Sequence, residues 1–342
     1  MPKETFMQRR TLLALAALST TGLAHSQPTG GASLSSSLPN MEPIAMSDVI
    51  IIGGSFAGLA AALQLGRARH KVTVLDTGLP RNRFAGHSHG LLGHDHKPPL
   101  DILAEARRQL ARYPAIELVN ARADSVSGVI DDFSVLTGDG KTLRTRRLIL
   151  SYGVVDQMPN VPGFAECWGT SVLPCPYCDG FEVADQHWGF VWAGPQSLQS
   201  AKLFLAWTGK LTVFADGREI APEIRTDLAR RKVRVVEGRI IEIAHRKGHI
   251  DTVDLDSGRN VAVDVLFAQP RNQPSARLHE SVGLATANTP TGIVLSVDER
   301  RVTSVPGIYA AGDLTTPFLP SVTQASSQGA MAGIFAQQSM LV

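Results

Sequence analysis

Apolar and polar positions divide the chain into short, wholly apolar runs and longer stretches with helical spacing. Val49-Ile50-Ile51-Ile52 is apolar at every position, the pattern of a parallel strand covered on both faces. A glycine-rich turn from Gly53 to Gly58 follows at once, and Leu59-Ala60-Ala61-Ala62-Leu63 opens a helix pattern. A second strand, Lys71-Val72-Thr73-Val74-Leu75, ends at Asp76. Residues 100–112 read as an ordinary amphipathic helix with Leu100, Leu103, Ala104, Ala106, Arg107, Leu110 and Ala111. Further strands are predicted at Arg147 to Leu150, around His187 to Val191, at Leu211 to Phe214, and in the run from Ser304 to Ala311 that ends in Gly312-Asp313. Helices are predicted at Leu198 to Trp207 and Ser321 to Gln338. Strands alternating with helices predict an α/β fold with parallel sheets.

The chain has 342 residues, 44% hydrophobic and 19% charged, which suits about two globular domains. A formal net charge of +2 gives no pull toward nucleic acid, and the aromatic residues are too scattered for a nucleic-acid surface. Arg230-Arg231-Lys232 and Arg144 to Arg147 read as solvated faces beside strands. The amino end follows a different pattern. Arg9-Arg10 precede an apolar run from Thr11 to Leu18, and small residues follow at Ala24-His25-Ser26. This predicts a signal peptide of the twin-arginine type over residues 1–26, a linker over 27–46 and a periplasmic protein with no stable membrane span after processing. Translation from Met46, directly before the first strand, would instead give a cytoplasmic protein.

Strand, glycine-rich turn, helix, strand and acid together predict a dinucleotide site. Gly53 allows the tight turn, Gly58 lets the helix pack against the sheet, and the helix N-terminus offers N–H groups to a pyrophosphate. Asp76 stands where an acid accepts from ribose hydroxyls, and Ser55 replaces the middle glycine of the fingerprint. The second candidate is Pro174-Cys175-Pro176-Tyr177-Cys178-Asp179-Gly180-Phe181. Two cysteines three apart on a helical turn can close a short disulfide, and the helix start favours the thiolate. A zinc site would need two more soft ligands, with Cys167 the only other cysteine, and a structural disulfide is a further option for an exported protein.

From about residue 48 to 340 these motifs resemble the small thioredoxin reductases, FAD-dependent pyridine nucleotide-disulfide oxidoreductases with a C-x-x-C-D-G motif. The C-P-Y-C form is similar to that of the dithiol oxidases that close disulfides in small sulfur-containing metabolites. The resemblance implies two doubly wound Rossmann-like domains, with the FAD domain (47–157 and 263–342) split by an inserted cysteine-bearing, NAD(P)-binding-like domain (158–262). It implies that Gly312-Asp313 belong to a second FAD motif with Asp313 on the ribityl chain, and that Gln324-Ala325 lie near the flavin pyrimidine. It assigns Cys178 to face the flavin, Cys175 to meet the substrate sulfur, and Asp179 to move the proton. Ser151-Tyr152-Gly153 stands where the family has A-T-G. These families are commonly homodimers.

The second nucleotide site departs from the family. Trp192-Ala193-Gly194-Pro195 replaces a run of glycines, and a Trp there would fill space the phosphates need. Pro195 lacks an N–H donor, and Ala215-Asp216-Gly217, with only Arg218 nearby, stands where arginines would take a 2′-phosphate. NADPH binding is therefore doubtful. The expected activity is FAD-dependent oxidation of a small-molecule dithiol or a thioredoxin-like protein, with electrons passing to O2 or another acceptor. NADPH-dependent thioredoxin reduction and a non-catalytic flavin-binding redox sensor are the alternatives. No metal site is expected. The histidines of Gly86-His87-Ser88-His89-Gly90 and Gly93-His94-Asp95-His96 stay open to chelation, to a base at His87 or His89 beside the disulfide, or to a structural role.

Overall fold

The computed structural model describes residues 46–341; the signal peptide and linker expected from the sequence before Met46 lie outside the described residues. The chain begins with β1 (Ser47–Ile52), α1 (Phe56–Arg67), β2 (Val72–Asp76), α2 (Pro99–Leu110) and β3 (Ile116–Asn120). The strands β4 (Ala123–Val129), β5 (Asp132–Thr137) and β6 (Thr142–Leu150) follow as an antiparallel meander. β1 lies between β2 and β6, parallel to both, in the order β3-β2-β1-β6-β5-β4. Its run of four apolar residues serves two cores. Val49 and Ile51 face one and Ile50 and Ile52 the other, which is why no polar position interrupts the strand.

The chain then crosses through β7 (Val154–Asp156), α3 (Phe164–Cys167), β8 (Val172–Leu173) and the single turn α4 (Pro176–Asp179) into a second sheet. This is built with β9 (His187–Val191), α5 (Ser197–Phe204), β10 (Lys210–Phe214), α6 (Pro222–Arg230) and β11 (Arg234–Val236). The hairpin strands β12 (Ile240–Arg246), β13 (His249–Leu255) and β14 (Asn260–Val261) form a small sheet of their own. β15 (Val265–Phe267) completes the second sheet in the order β11-β10-β9-β15-β8, all parallel. The chain thus leaves this sheet only after Phe267, a few residues beyond the boundary at 262 suggested by the sequence. Val265 to Phe267 hydrogen-bond between β9 and β8, and all three are buried.

A third segment returns through β16 (Asn272–Pro274), α7 (Leu278–Ser281), β17 (Thr286–Thr289) and β18 (Gly292–Leu295). β19 (Ile308–Ala310) then pairs in parallel with β6, and α8 (Val322–Gln338) closes the fold, capped by Ser321 Oγ accepting from the Gln324 N–H. The first sheet therefore has seven strands drawn from both ends of the described chain. α8 lies directly on α1. A Cβ on Gly329 would fall 2.0 Å from the Ala57 carbonyl oxygen, and one on Gly333 2.7 Å from that of Ala61, so the two helix backbones touch. Among the described residues no helix is long and apolar enough to cross a membrane.

Trp192 has a different place from the one expected. Its side chain is buried with Trp188, Phe190, Phe204 and Phe267 in the core of the second sheet. The residue continues the alternation of β9 inward, so its indole packs against apolar neighbours and does not project into a phosphate path.

Candidate functional site

A cleft of about 1080 Å³ runs along the carboxyl ends of β1, β2 and β6 and reaches α4 and the start of α8. At its base Gly53 has φ +105°, and a Cβ there would sit 2.3 Å from the Ser151 carbonyl oxygen, so only glycine makes this turn. Gly58 brings α1 onto the turn, since its Cβ would meet the Gly53 oxygen at 1.8 Å. Ser151 Oγ donates to that same oxygen at 2.8 Å, which gives the Ser-Tyr-Gly departure a local role. Ser55 is the N-cap residue of α1, and its hydroxyl makes no cap hydrogen bond. Gly53, Gly54, Ser55, Phe56 and Ala57 line the cleft, placing the positive end of a twelve-residue helix toward it.

Asp76 closes β2 at the cleft wall and accepts from Arg107 Nη2 at 2.9 Å; the same nitrogen donates to the Gly54 carbonyl at 3.3 Å. A side pocket of about 270 Å³, lined by Gly54, Asp76, Arg107, Leu118 and Asn120, opens there. Gly312 and Asp313 also line the main cleft. The Gly312 N–H donates to Gln328 Oε1 at 2.9 Å, and Asp313 accepts from Arg81 Nη1 at 2.8 Å. Arg81 holds Asp156 with two further hydrogen bonds of 2.8 and 2.5 Å. Burial alone would lower the Arg81 pKa, but the hydrogen bonds and charges of Asp156 and Asp313 outweigh it and keep the guanidinium charged above its ordinary range. Ala325 lines the cleft, whereas Gln324 is exposed and its N–H is taken by the Ser321 cap. One turn on, Gln328 is the glutamine that ties α8 to the Gly312 turn.

The cleft suits the dinucleotide that the sequence implies. Glycine backbone and a helix N-terminus stand at one end and Asp313 further along. Asn272 Oδ1 is a buried acceptor in the lining with no hydrogen-bond partner among the described residues. Such an orphan is satisfied when a bound group supplies an N–H.

Cys175, Cys178 and Asp179 border the cleft at the single turn α4, both cysteines as free thiols. Cys175 is the N-cap residue, extended at φ −145°, and Pro176 occupies the first helical position, where its missing N–H costs nothing. Cys175 is held below the usual thiol range, chiefly by a hydrogen bond from the Cys178 thiol and further by the Cys178 and Tyr177 backbone N–H groups. Cys178 is pushed up because it keeps that shared proton and is buried. Burial also raises Asp179 to about 6, helped by Glu182 and opposed by His89. The turn thus pairs a thiol whose pKa is lowered with a neighbouring thiol that donates to it, beside a carboxyl group able to carry a proton near neutrality. Iodoacetamide at pH 7 is accordingly expected to alkylate Cys175 at least about ten times faster than Cys178. Peptide mapping after a short exposure checks this, and equal labelling would contradict the assignment of the thiolate.

His89 Nδ1 donates to the Cys178 carbonyl at 2.7 Å, so the histidine loop sits against the dithiol turn. Thr323 Oγ1 at the start of α8 donates to the Gly90 carbonyl at 2.7 Å and fixes the other side of that loop. Arg81, Asp156 and Glu182 were not singled out by the sequence, because each is an isolated polar residue whose partner is distant along the chain; Arg107 was read only as part of an amphipathic helix, and Asn272 has no pattern to mark it. The arginine in Pro80-Arg81-Asn82-Arg83, just past the acid that ends β2, was the one available hint.

The model of the pyridine nucleotide-disulphide oxidoreductase family matches residues 47–329. Thioredoxin reductase tcpT of Claviceps purpurea is 32% identical over 306 residues, covering 86% of this chain and 94% of its own length. Thioredoxin reductase sirT of Leptosphaeria maculans is 31% identical, covering 84% of this chain and 92% of its own. The crystal structure of an oxidoreductase from Agrobacterium tumefaciens superposes with a TM-score of 0.82 at 42% identity, covering 87% of this chain and 99% of that one. The two-sheet α/β fold, the cleft and these matches agree: the chain is a thioredoxin reductase-like oxidoreductase and belongs to the pyridine nucleotide-disulphide oxidoreductase family.

Proposed function

We propose that the protein oxidises dithiols to disulfides, with Cys175 and Cys178 as its exchanging pair and FAD held by Gly53, Ser55, Gly58, Asp76, Gly312, Asp313 and Ala325. The observation that carries this reading is the dithiol turn itself, two free cysteines on the wall of the cleft that the glycine turn also lines. In the oxidised enzyme a substrate thiolate attacks the Cys175 sulfur, the Cys175–Cys178 bond breaks, and Cys178 leaves as a thiolate. Asp179 supplies the proton that neutralises it. The second substrate thiol, deprotonated, then attacks its own mixed disulfide. Cys175 leaves as the stabilised thiolate and the substrate departs as a disulfide. FAD, when bound, would supply the acceptor for the two electrons left on the cysteines, with O2 or another oxidant as the final acceptor.

The direction rests on the loop after β9. The Ala193 N–H donates to Ser197 Oγ at 2.9 Å, and the N–H groups of Ser197, Leu198 and Gln199 are taken by the carbonyls of Gly194, Pro195 and Gln196. Pro195 has no N–H, so the loop has fewer free donors to offer a pyrophosphate there. Asp216 at the end of β10 accepts from the Ile240 N–H and from Arg218, which leaves a carboxylate where a 2′-phosphate would need cations. NADPH-dependent thioredoxin reduction is the second reading, favoured by the names of the fungal relatives. Anaerobic stopped-flow mixing separates the two. A dithiol is expected to bleach the flavin within the dead time to seconds, and NADPH at micromolar concentration to leave it yellow; rapid bleaching by NADPH would overturn the oxidase reading. The amino-terminal pattern supports a periplasmic setting, which cell fractionation tests directly.

A further inference from the structure

The histidine loop and the segment after the dithiol turn bring three metal-ligand atoms to one point. His89 Nε2 lies 3.3 Å from His96 Nδ1 and 3.4 Å from Glu182 Oε1, and all three atoms fall within 4.8 Å of one another. With zinc bonds of about 2.0–2.1 Å, the edge of a coordination tetrahedron is about 3.4 Å, so the two separations from His89 already match such an ion and the third needs at most a small side-chain adjustment.

The supporting contacts strengthen the fit. A carbonyl oxygen only accepts, so the 2.7 Å contact to Cys178 puts a proton on His89 Nδ1, and in the neutral ring Nε2 then presents its lone pair. Fixing a ligand histidine through its other nitrogen to a backbone carbonyl is the usual outer arrangement of zinc sites. His96 is held as well. Its N–H donates to the Ser88 carbonyl at 2.9 Å, the Ser88 N–H donates to the Lys97 carbonyl at 2.8 Å, and the His87 ring stacks on His96 at 4.5 Å and 7°. The Gly90 N–H to Asp95 and Thr323 to Gly90 contacts brace the turn between the two ligands. The loop is thus a closed hairpin with ordered rings.

We propose that His89, His96 and Glu182 form a zinc-binding site with one coordination position open to water or to a thiol. The site joins the 87–97 loop to the chain just past Cys178, through the same histidine that holds the Cys178 carbonyl. It differs from a cysteine-ligated site, which the sequence reading considered and set aside, in using neither thiol. It also stands apart from the direction of electron flow.

The test uses the flavin-loaded protein carrying Cys175→Ser and Cys178→Ser, which removes the competing dithiol. After chelator treatment and equilibration with Zn2+, one zinc per chain is expected to remain through gel filtration. His89→Ala and His96→Ala in that background are each expected to weaken zinc binding at least about tenfold by calorimetry. Glu182→Gln, a change at an exposed position with no cost to the core, is expected to do the same. Flavin content and melting temperature establish that each variant is folded. Co2+ in place of zinc is expected to give the visible bands of a four-coordinate ion without a thiolate charge-transfer band. Absence of stoichiometric zinc in the parent, or unchanged affinity in folded His89→Ala and Glu182→Gln proteins, would overturn the proposal.

Discussion

Cys178→Ser protein is expected to purify yellow and to stay yellow when mixed anaerobically with dithiols, its bleaching at least about 10³-fold slower than that of the parent. Three decades in rate correspond to about 4 kcal/mol of barrier. The size follows from what a hydroxyl cannot do here. Serine forms no disulfide, so the two electrons of an incoming dithiol have no sulfur pair to enter. The flavin cradle does not depend on position 178. Its glycine turn, its Asp76–Arg107 pair and its Asp313–Arg81 contact all lie on other elements. Retained colour with lost bleaching therefore separates a chemical effect from a folding one, and undiminished bleaching would remove Cys178 from its role.

The second large effect is expected at Gly329→Val. Its Cβ would lie 2.0 Å from the Ala57 carbonyl oxygen, a backbone atom in the middle of the first turn of α1. No rotamer relieves that overlap, so α8 must move away from α1 and take its cap and Gln328 with it. Overpacking against a rigid partner costs about 3 kcal/mol, at the upper end of the usual range. For a chain of this size that is a fall of roughly 5–10 °C in melting temperature. Flavin content should fall as well, because α1 presents the helix N-terminus to the cleft. A melting curve and the ratio of visible to ultraviolet absorbance measure both, and a fully loaded protein with parental stability would refute the close-contact argument.

Part of this site was written in local pattern. Val49 to Ile52 declares a strand covered on two sides because both faces lose their polar positions, and Gly53 with Gly58 declares the turn because no other residue fits beside Ser151 and the turn's own carbonyl. Cys175 and Cys178 are legible for the same reason, since their spacing is itself the chemistry. Trp192 shows where the pattern misleads. The side chain that looked placed to fill a phosphate site points into the core, and the loop is closed instead by Ser197, Pro195 and the carbonyls of its own turn. Gln324 was chosen by its position in a motif, whereas Gln328, one turn later, makes the contacts. Arg81 reaches Asp313 across 232 positions and Asp156 across 75, and no periodicity carries information over that span. Glu182 meets His89 only because the dithiol turn and the histidine loop are brought together by elements that neither of them belongs to.

The contact between α1 and α8 has a bearing on biosynthesis. β1 and α1 emerge early from the ribosome, but β19 and α8, which finish the same sheet and press on the same helix, end at Gln338. A nascent chain can form the intervening second sheet while its first one still lacks a strand and a covering helix. The crib for the cofactor then assembles only once α8 has been made. Loss of the last turns of α8 is expected to leave a colourless polypeptide, so the yellow colour reports that the chain has been made through α8.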